Sequence, residues 1–167
     1  MSLSLTVKAG IRGSHTKALD LGTADLPVDV LANIALADGT GANQADRIFT
    51  DTRTLSASAT EDLDLAGSLT DAYGATITLA RVKAILVKAA SGNTNNVNVS
   101  RPASNGVPLF LAASDGIAVL PGGAFLWVAP NAAGVAVTAG TGDLLTFTNS
   151  SSGTSVSYDV VIVGCSA

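Results

Sequence analysis

The sequence predicts an all-β protein, an antiparallel two-sheet sandwich of about eight to ten strands, with the jelly roll as one possible arrangement. Two observations support this class. Apolar and polar residues alternate along most of the chain, which is typical of half-buried strands. Clusters of turn-forming residues recur about every eight to twelve positions, as they do between short strands. At 167 residues, the chain has the length of one compact domain.

The clearest alternation lies near the N-terminus. Every odd position from Leu3 to Ile11 is apolar, and a second run with the same period extends from Leu26 to Leu36. We therefore predict an N-terminal strand or arm in residues 1–25 and a sandwich domain in residues 26–167. The first run fits two interpretations equally well: an arm that pairs with a neighbouring chain, and a strand in the domain's own sheet.

Two later segments are also predicted to be strands. The alternation from Arg47 to Leu65 is too long for one strand of typical length, so we expect a bend near Ala59-Thr60. The segment from Thr76 to Ala90 has apolar residues at helical spacing but is rich in β-branched residues. Because β-branched side chains favour a pleated surface, we predict strand there.

The C-terminal third contains a segment that is apolar on both faces. In Ala124 to Ala129, Phe125 and Trp127 share one face, while Leu126 and Val128 share the other. Such a strand is either central in a sandwich or covered by a partner chain. Further along, residues 144–148 and 155–163 flank a polar, glycine-containing loop. We predict that these two strands form a hairpin.

Composition excludes several function classes. Hydrophobic residues make up 47% and charged residues 13% of the chain, against a usual charged share of about 25%. No uninterrupted apolar run reaches the roughly 20 residues that a membrane span needs, and the alternating N-terminus is unlike a secretory signal. A net charge of −4 with 4% aromatic residues argues against a nucleic-acid surface. So few charges are typical of a protein surrounded by copies of itself or by partners.

The basic residues are concentrated at the start of the chain. Lys8, Arg12 and Lys17 account for three of the nine lysines and arginines. They fit either a docking arm or a few solvated charges on one strand face.

Catalytic and metal-binding chemistry has few candidate residues. Histidine and cysteine occur once each, as His15 and Cys165, whereas a zinc site uses three or four such ligands and a nucleophilic triad needs an oriented base. The acidic cluster of Glu61, Asp62 and Asp64 fits a calcium site less well than a solvated strand edge. We predict no enzyme activity and no catalytic, cofactor-binding or metal-binding residues.

Sugar binding would require exposed aromatic rings. Trp127 lies in the most apolar strand and is predicted to be a buried anchor. Tyr73, in a turn, is the one candidate for an exposed stacking platform.

Three segments resemble small virion proteins of tailed bacteriophages: Ala45 to Leu55, Glu61 to Asp71 and Ala139 to Gly164. The resemblance implies a capsid decoration or cement protein that stands as a homotrimer on the shell. It would bind the major capsid protein or other virion proteins, and would reside in the virion after synthesis in the host cytoplasm. A tail structural subunit and a tail-tip or fibre-type module that binds a host glycan are the alternatives. The resemblance rests on no signature motif, so it assigns no binding residues.

Overall fold

The computed structural model describes residues 2–167 and confirms the predicted all-β class. Within those residues there are fourteen strands and no helix, and ten of the strands have four residues or more. The jelly-roll arrangement stays a prediction. The strands are β1 (Leu5–Leu19), β2 (Gly22–Asp38), β3 (Gln44–Ala45), β4 (Arg47–Leu55), β5 (Thr60–Asp64), β6 (Leu69–Thr70), β7 (Thr76–Ile77), β8 (Arg81–Ala89), β9 (Val97–Ser100), β10 (Gly116–Val119), β11 (Ala124–Val128), β12 (Val135–Ala136), β13 (Leu144–Asn149) and β14 (Val156–Cys165).

Two antiparallel sheets form the body. One has the strand order β10-β9-β13-β5, and the other has the order β11-β8-β14-β4, with β12 also paired to β8. The main core lies between them because each sheet turns an aliphatic face inward. Phe147 of the first sheet stacks on Tyr158 of the second, with ring centroids 4.9 Å apart. The other large, fully buried members of this core include Leu63, Leu65, Ile77, Ile85, Leu145 and Ile162.

The predicted hairpin between residues 144–148 and 155–163 is wrong. β13 pairs with β5 and β9, whereas β14 pairs with β4 and β8. The intervening loop therefore crosses from one sheet to the other. The side-chain amide of the buried Asn149 holds this crossing by donating to the backbone oxygens of Ser56 at 3.0 Å and Thr154 at 2.8 Å. Both strands have an apolar inner face, and facing each other across the core buries both faces.

The two other strand predictions are confirmed. The run from Arg47 to Leu65 breaks at residues 56–59 into β4 and β5, next to the predicted bend, and Ser58 has a φ of 55° there. The segment from Thr76 to Ala90 forms β7 and β8. β8 lies between β11 and β14, so its apolar residues are needed on both faces. That requirement produces the helix-like spacing in the sequence.

A long β-hairpin projects from this body. β1 and β2 pair over fifteen residues, from Leu5↔Leu36 at the root to Leu19↔Gly22 at the tip, a length of about 50 Å. The turn is made by Asp20 and Leu21. Position 25, where the sequence suggested the end of an N-terminal arm, lies within β2 and opposite Thr16. The arm is therefore double-stranded, and residues 26–36 belong to it rather than to the sandwich.

Candidate functional site

The two faces of the hairpin differ in chemistry. The register of β1 and β2 places odd positions of β1 and even positions of β2 on one face. On the other face Arg12 donates to Asp29 at 2.8 Å, with both side chains exposed. The face with the odd positions of β1 and the even positions of β2 is the apolar face of the hairpin. Its apolar residues are Leu5, Val7, Ala9, Ile11, Leu19, Ala24, Leu26, Val28, Val30, Ala32, Ile34 and Leu36, and His15 and Lys17 lie on the same face near the tip.

The root of the hairpin is anchored on the outer face of the β11-β8-β14-β4 sheet. Leu36 is buried there in a second, smaller core with Ala84 and Val163, and Leu5 and Val7 pack against it. Lys83, which is fully buried, fastens the adjacent loops because its ammonium group donates to the backbone oxygens of Gly41, Asn131 and Ala132. The base of the hairpin is thus held firmly in place.

Beyond the root, the apolar face is uncovered in the isolated chain. Ile11 is 75% and Val30 is 70% exposed, and Leu26 and Val28 are exposed as well. A two-stranded hairpin is only marginally stable by itself in water. A contiguous exposed apolar surface of this kind marks an interaction site.

A second uncovered apolar surface adjoins the hairpin root. On the outer face of the sheet, Leu126, Leu86 and Val161 form a row next to the one that the root covers. Leu86 is 37% exposed. Together with Leu5 and Val7, this row lines a groove of about 370 Å³. The double-sided apolar character of β11 follows from this geometry, because Phe125 and Trp127 face the main core and Leu126 faces the groove.

The acidic cluster is engaged in bonds within the protein. Arg53 donates to Glu61 at 2.9 Å, and the Tyr158 hydroxyl donates to the other oxygen of Glu61 at 2.5 Å. Asp62 accepts from the Thr146 hydroxyl, and Asp64 accepts from a backbone N–H. Among residues 2–167, no group of three or more His, Cys, Asp or Glu residues is placed to hold a metal ion.

These contacts shift the pKa values of Glu61 and its partners. Partial burial raises the pKa of Glu61, but the hydrogen bonds from Arg53 and Tyr158 outweigh burial and hold it below its usual value. Burial, followed by the hydrogen bond to Glu61, raises the pKa of Tyr158 above its usual value. Glu61 is therefore an ionised acceptor inside a structural network, whereas a general acid needs a raised pKa.

The single histidine and the single cysteine lie in different parts of the molecule. His15 is exposed on the hairpin, opposite Leu26. Cys165 is buried at the end of β14, and this burial raises the pKa of its thiol. A thiol of that kind is a poor nucleophile because little of it is ionised.

The aromatic candidates for sugar binding differ in exposure. Tyr73 is 81% exposed and lines a cleft of about 330 Å³ together with Asp46, Arg47 and Asp71. Trp127 packs against the main core but is only partly buried, because β11 is an edge strand of its sheet. Trp127 is therefore only partly buried, whereas the sequence predicted a buried anchor.

The uncovered residues of β2 are the ones that sequence reasoning missed. Their alternation is that of a half-buried strand, as in Leu26, Val28 and Val30. The sequence prediction therefore assigned them to the sandwich domain. The signal that points to the hairpin is the short turn Asp20-Leu21 between two alternating runs of similar length.

The part of the chain that the structure describes contains no helix long and apolar enough to cross a membrane. Comparison with protein-family models, curated proteins and solved structures found no match to this chain.

Proposed function

We propose that this chain is a non-enzymatic structural protein of a bacteriophage virion, a capsid decoration or cement protein that acts as a homotrimer and binds neighbouring capsid subunits. The observation that carries this proposal is the projecting hairpin, whose apolar face is uncovered beyond Ala9. Only the root of this long hairpin packs against the rest of its own chain, so the exposed part is suited to contact with other protein chains.

The mechanism would be differential binding. A protein that binds the assembled shell more tightly than it binds separated capsid subunits shifts the equilibrium toward the shell. Contacts of this kind need buried apolar area and few charges that must be desolvated. The groove at Leu86, Leu126 and Val161 offers such a surface on the body.

The experiment uses particles from which the gene for this chain has been deleted. Purified protein is expected to co-sediment with these particles and to raise the temperature at which they rupture. A shortened variant, in which Asn-Gly replaces residues 10–31, keeps the root contacts of Leu5, Val7, Ile34 and Leu36 and should keep its melting temperature. We expect that variant to lose attachment. Failure of the full-length protein to bind the particles would contradict the proposal.

A second candidate function is recognition of a host glycan by a tail-tip or fibre module, and exposed Tyr73 above its cleft favours it. Aromatic rings of this kind stack on sugars. Under this alternative, Tyr73→Ala would abolish adsorption of the protein to host cells, and the shortened hairpin would leave adsorption intact. Adsorption that survives Tyr73→Ala would rule it out.

A further inference from the structure

The two strands of the hairpin carry opposite charge. All charged residues of β1 are basic and all those of β2 are acidic. Among residues 2–167, Arg12 and Asp29 form the one ion pair within the hairpin. Lys8 lies opposite Asn33, and Asp25 lies opposite Thr16. The charged residues are Lys8, Arg12 and Lys17 on β1 and Asp25, Asp29 and Asp38 on β2.

Both outer edges of the hairpin are available for pairing. β1 pairs only with β2, and β2 pairs outside the hairpin only through Ala37 and Asp38, with β3, among the residues that the structure describes. Apart from Pro27, which has no N–H, the residues of these edges offer backbone N–H and C=O groups that form a template for another strand. One edge is basic and the other acidic, so each edge complements the opposite edge of an identical hairpin.

We propose that three copies of this chain assemble through their hairpins, with β1 of one copy alongside β2 of the next and the three apolar faces packed around a threefold axis. This inference rests on the proposed function in treating the hairpin as an assembly element, and it identifies the partner as the chain itself. The contact is head-to-tail, and the threefold symmetry closes it into a ring in which all six strands are paired on both edges. Ile11 and Val30, directly opposite each other in one hairpin, would contribute one layer of the shared core.

The size of the surface fits this partner. The uncovered part of the apolar face measures roughly 35 Å by 10 Å. In a ring each copy also buries both edges of its hairpin, which brings the contact toward the ~800 Å² per partner that stable interfaces bury. An unrelated partner would have to match an apolar face, a basic edge and an acidic edge at once, whereas a second copy already carries the complement of each.

The first test measures oligomer size by sedimentation equilibrium of the full chain and two variants. Val30 and Leu31 are adjacent and are 70% and 57% exposed, but they lie on opposite faces of the hairpin. We expect the wild-type protein and Leu31→Asp to be trimeric at micromolar concentration. Val30→Asp should weaken the trimer at least about tenfold, while its Trp127 fluorescence reports a folded body. A monomeric wild-type protein, or equal behaviour of the two variants, would overturn the inference.

The second test separates contacts between copies from contacts within one hairpin. A charge-swapped variant carries Lys8→Asp, Arg12→Asp, Asp25→Lys and Asp29→Lys, so the ion pair inside the hairpin is preserved with reversed polarity. It should form trimers with itself. Mixed rings would place like charges side by side, so differently tagged wild-type and swapped chains should fail to co-purify after co-expression, while two wild-type chains co-purify. Free mixing would overturn the charge-guided pairing.

The result is distinguishable from failure of the proposed function. Wild-type trimers that do not bind the particles would contradict the virion role and leave the hairpin ring intact. A monomer that binds the particles would contradict the ring and the homotrimer, and would leave the virion role intact.

Discussion

The Tyr158 hydroxyl donates a 2.5 Å hydrogen bond to the carboxylate of Glu61 and thereby joins β14 of one sheet to β5 of the other. Arg53, on β4, donates to the same carboxylate. The Glu61 carboxylate on β5 thus accepts from β4 and β14 of the other sheet, and these bonds hold the two sheets together at the edge of the sandwich. Hydrogen bonds to charged groups are also stronger than neutral ones.

Replacing Glu61 with Gln should make the protein less stable at neutral pH by about 1–2 kcal/mol, because the charge-assisted bonds are lost from a partly exposed site. The pKa of Glu61 is lower in the folded protein than its ordinary value of 4.5. The unfolded chain therefore takes up the proton first, and stability is lost as the pH falls below about 4.5. Urea unfolding across the acid range should give a flatter profile for Glu61→Gln than for wild type. Asp20→Asn, in the exposed hairpin turn, is the control, and identical profiles for Glu61→Gln and wild type would contradict this role.

Replacing Lys83 with Met should lower the free energy of unfolding by about 2–3 kcal/mol, because the backbone oxygens of Gly41, Asn131 and Ala132 lose the donor that they share. Lys88 lies on the same strand but is exposed, so Lys88→Met should change stability by less than about 0.5 kcal/mol. Denaturant unfolding monitored by Trp127 fluorescence measures both. Equal effects of the two substitutions would show that burial of the lysine has no structural consequence.

Truncation of the two aromatic residues should distinguish core from edge. Phe147 is fully buried between the sheets, so Phe147→Ala should cost about 3–5 kcal/mol. Trp127 is only partly buried on edge strand β11, so Trp127→Ala should cost less, about 2–3 kcal/mol. Calorimetric melting of both variants shows which substitution costs more stability. A larger loss of stability for Trp127→Ala would mean that Trp127, and not Phe147, lies at the centre of the core.

Cys165 should react with an alkylating reagent only when the protein unfolds. Its side chain is buried and its thiol pKa is raised, so both access and ionisation oppose reaction in the folded state. Alkylation followed by mass spectrometry should therefore track unfolding in a denaturant series. Rapid modification under native conditions would mean that the end of β14 opens locally.

The alternation of side chains predicted the strands well, because it reflects which residues face a packed surface. It could not identify the partner of each strand. β13 and β14 have the pattern of a hairpin, yet Phe147 and Tyr158 face each other from different sheets. The sequence also overestimated the burial of β1 and β2, because alternation does not show what covers an apolar face. Val7 and Ile11 belong to the same alternating run, but only Val7 packs on the body. Periodicity reports that a face is apolar and says nothing about which chain covers it.

The acidic cluster illustrates a different limit. The spacing of Asp62 and Asp64 correctly indicates one strand, β5. The partners of Glu61 come from β4 and β14, and Tyr158 is 97 residues away in sequence. No local pattern contains that information, because the contact exists only once both sheets have formed.

The position of β14 has a consequence for the order of folding. This strand is flanked by β4 and β8, and its contacts with β4 join residues about one hundred positions apart, such as Thr52 and Asp159. The pairs of the β1–β2 hairpin, in contrast, close a loop within residues 5–38. Local pairs form early and distant ones late. During synthesis the hairpin can therefore be complete while β4 and β8 still await β14, so an assembly element is present on the nascent chain before the domain that anchors it.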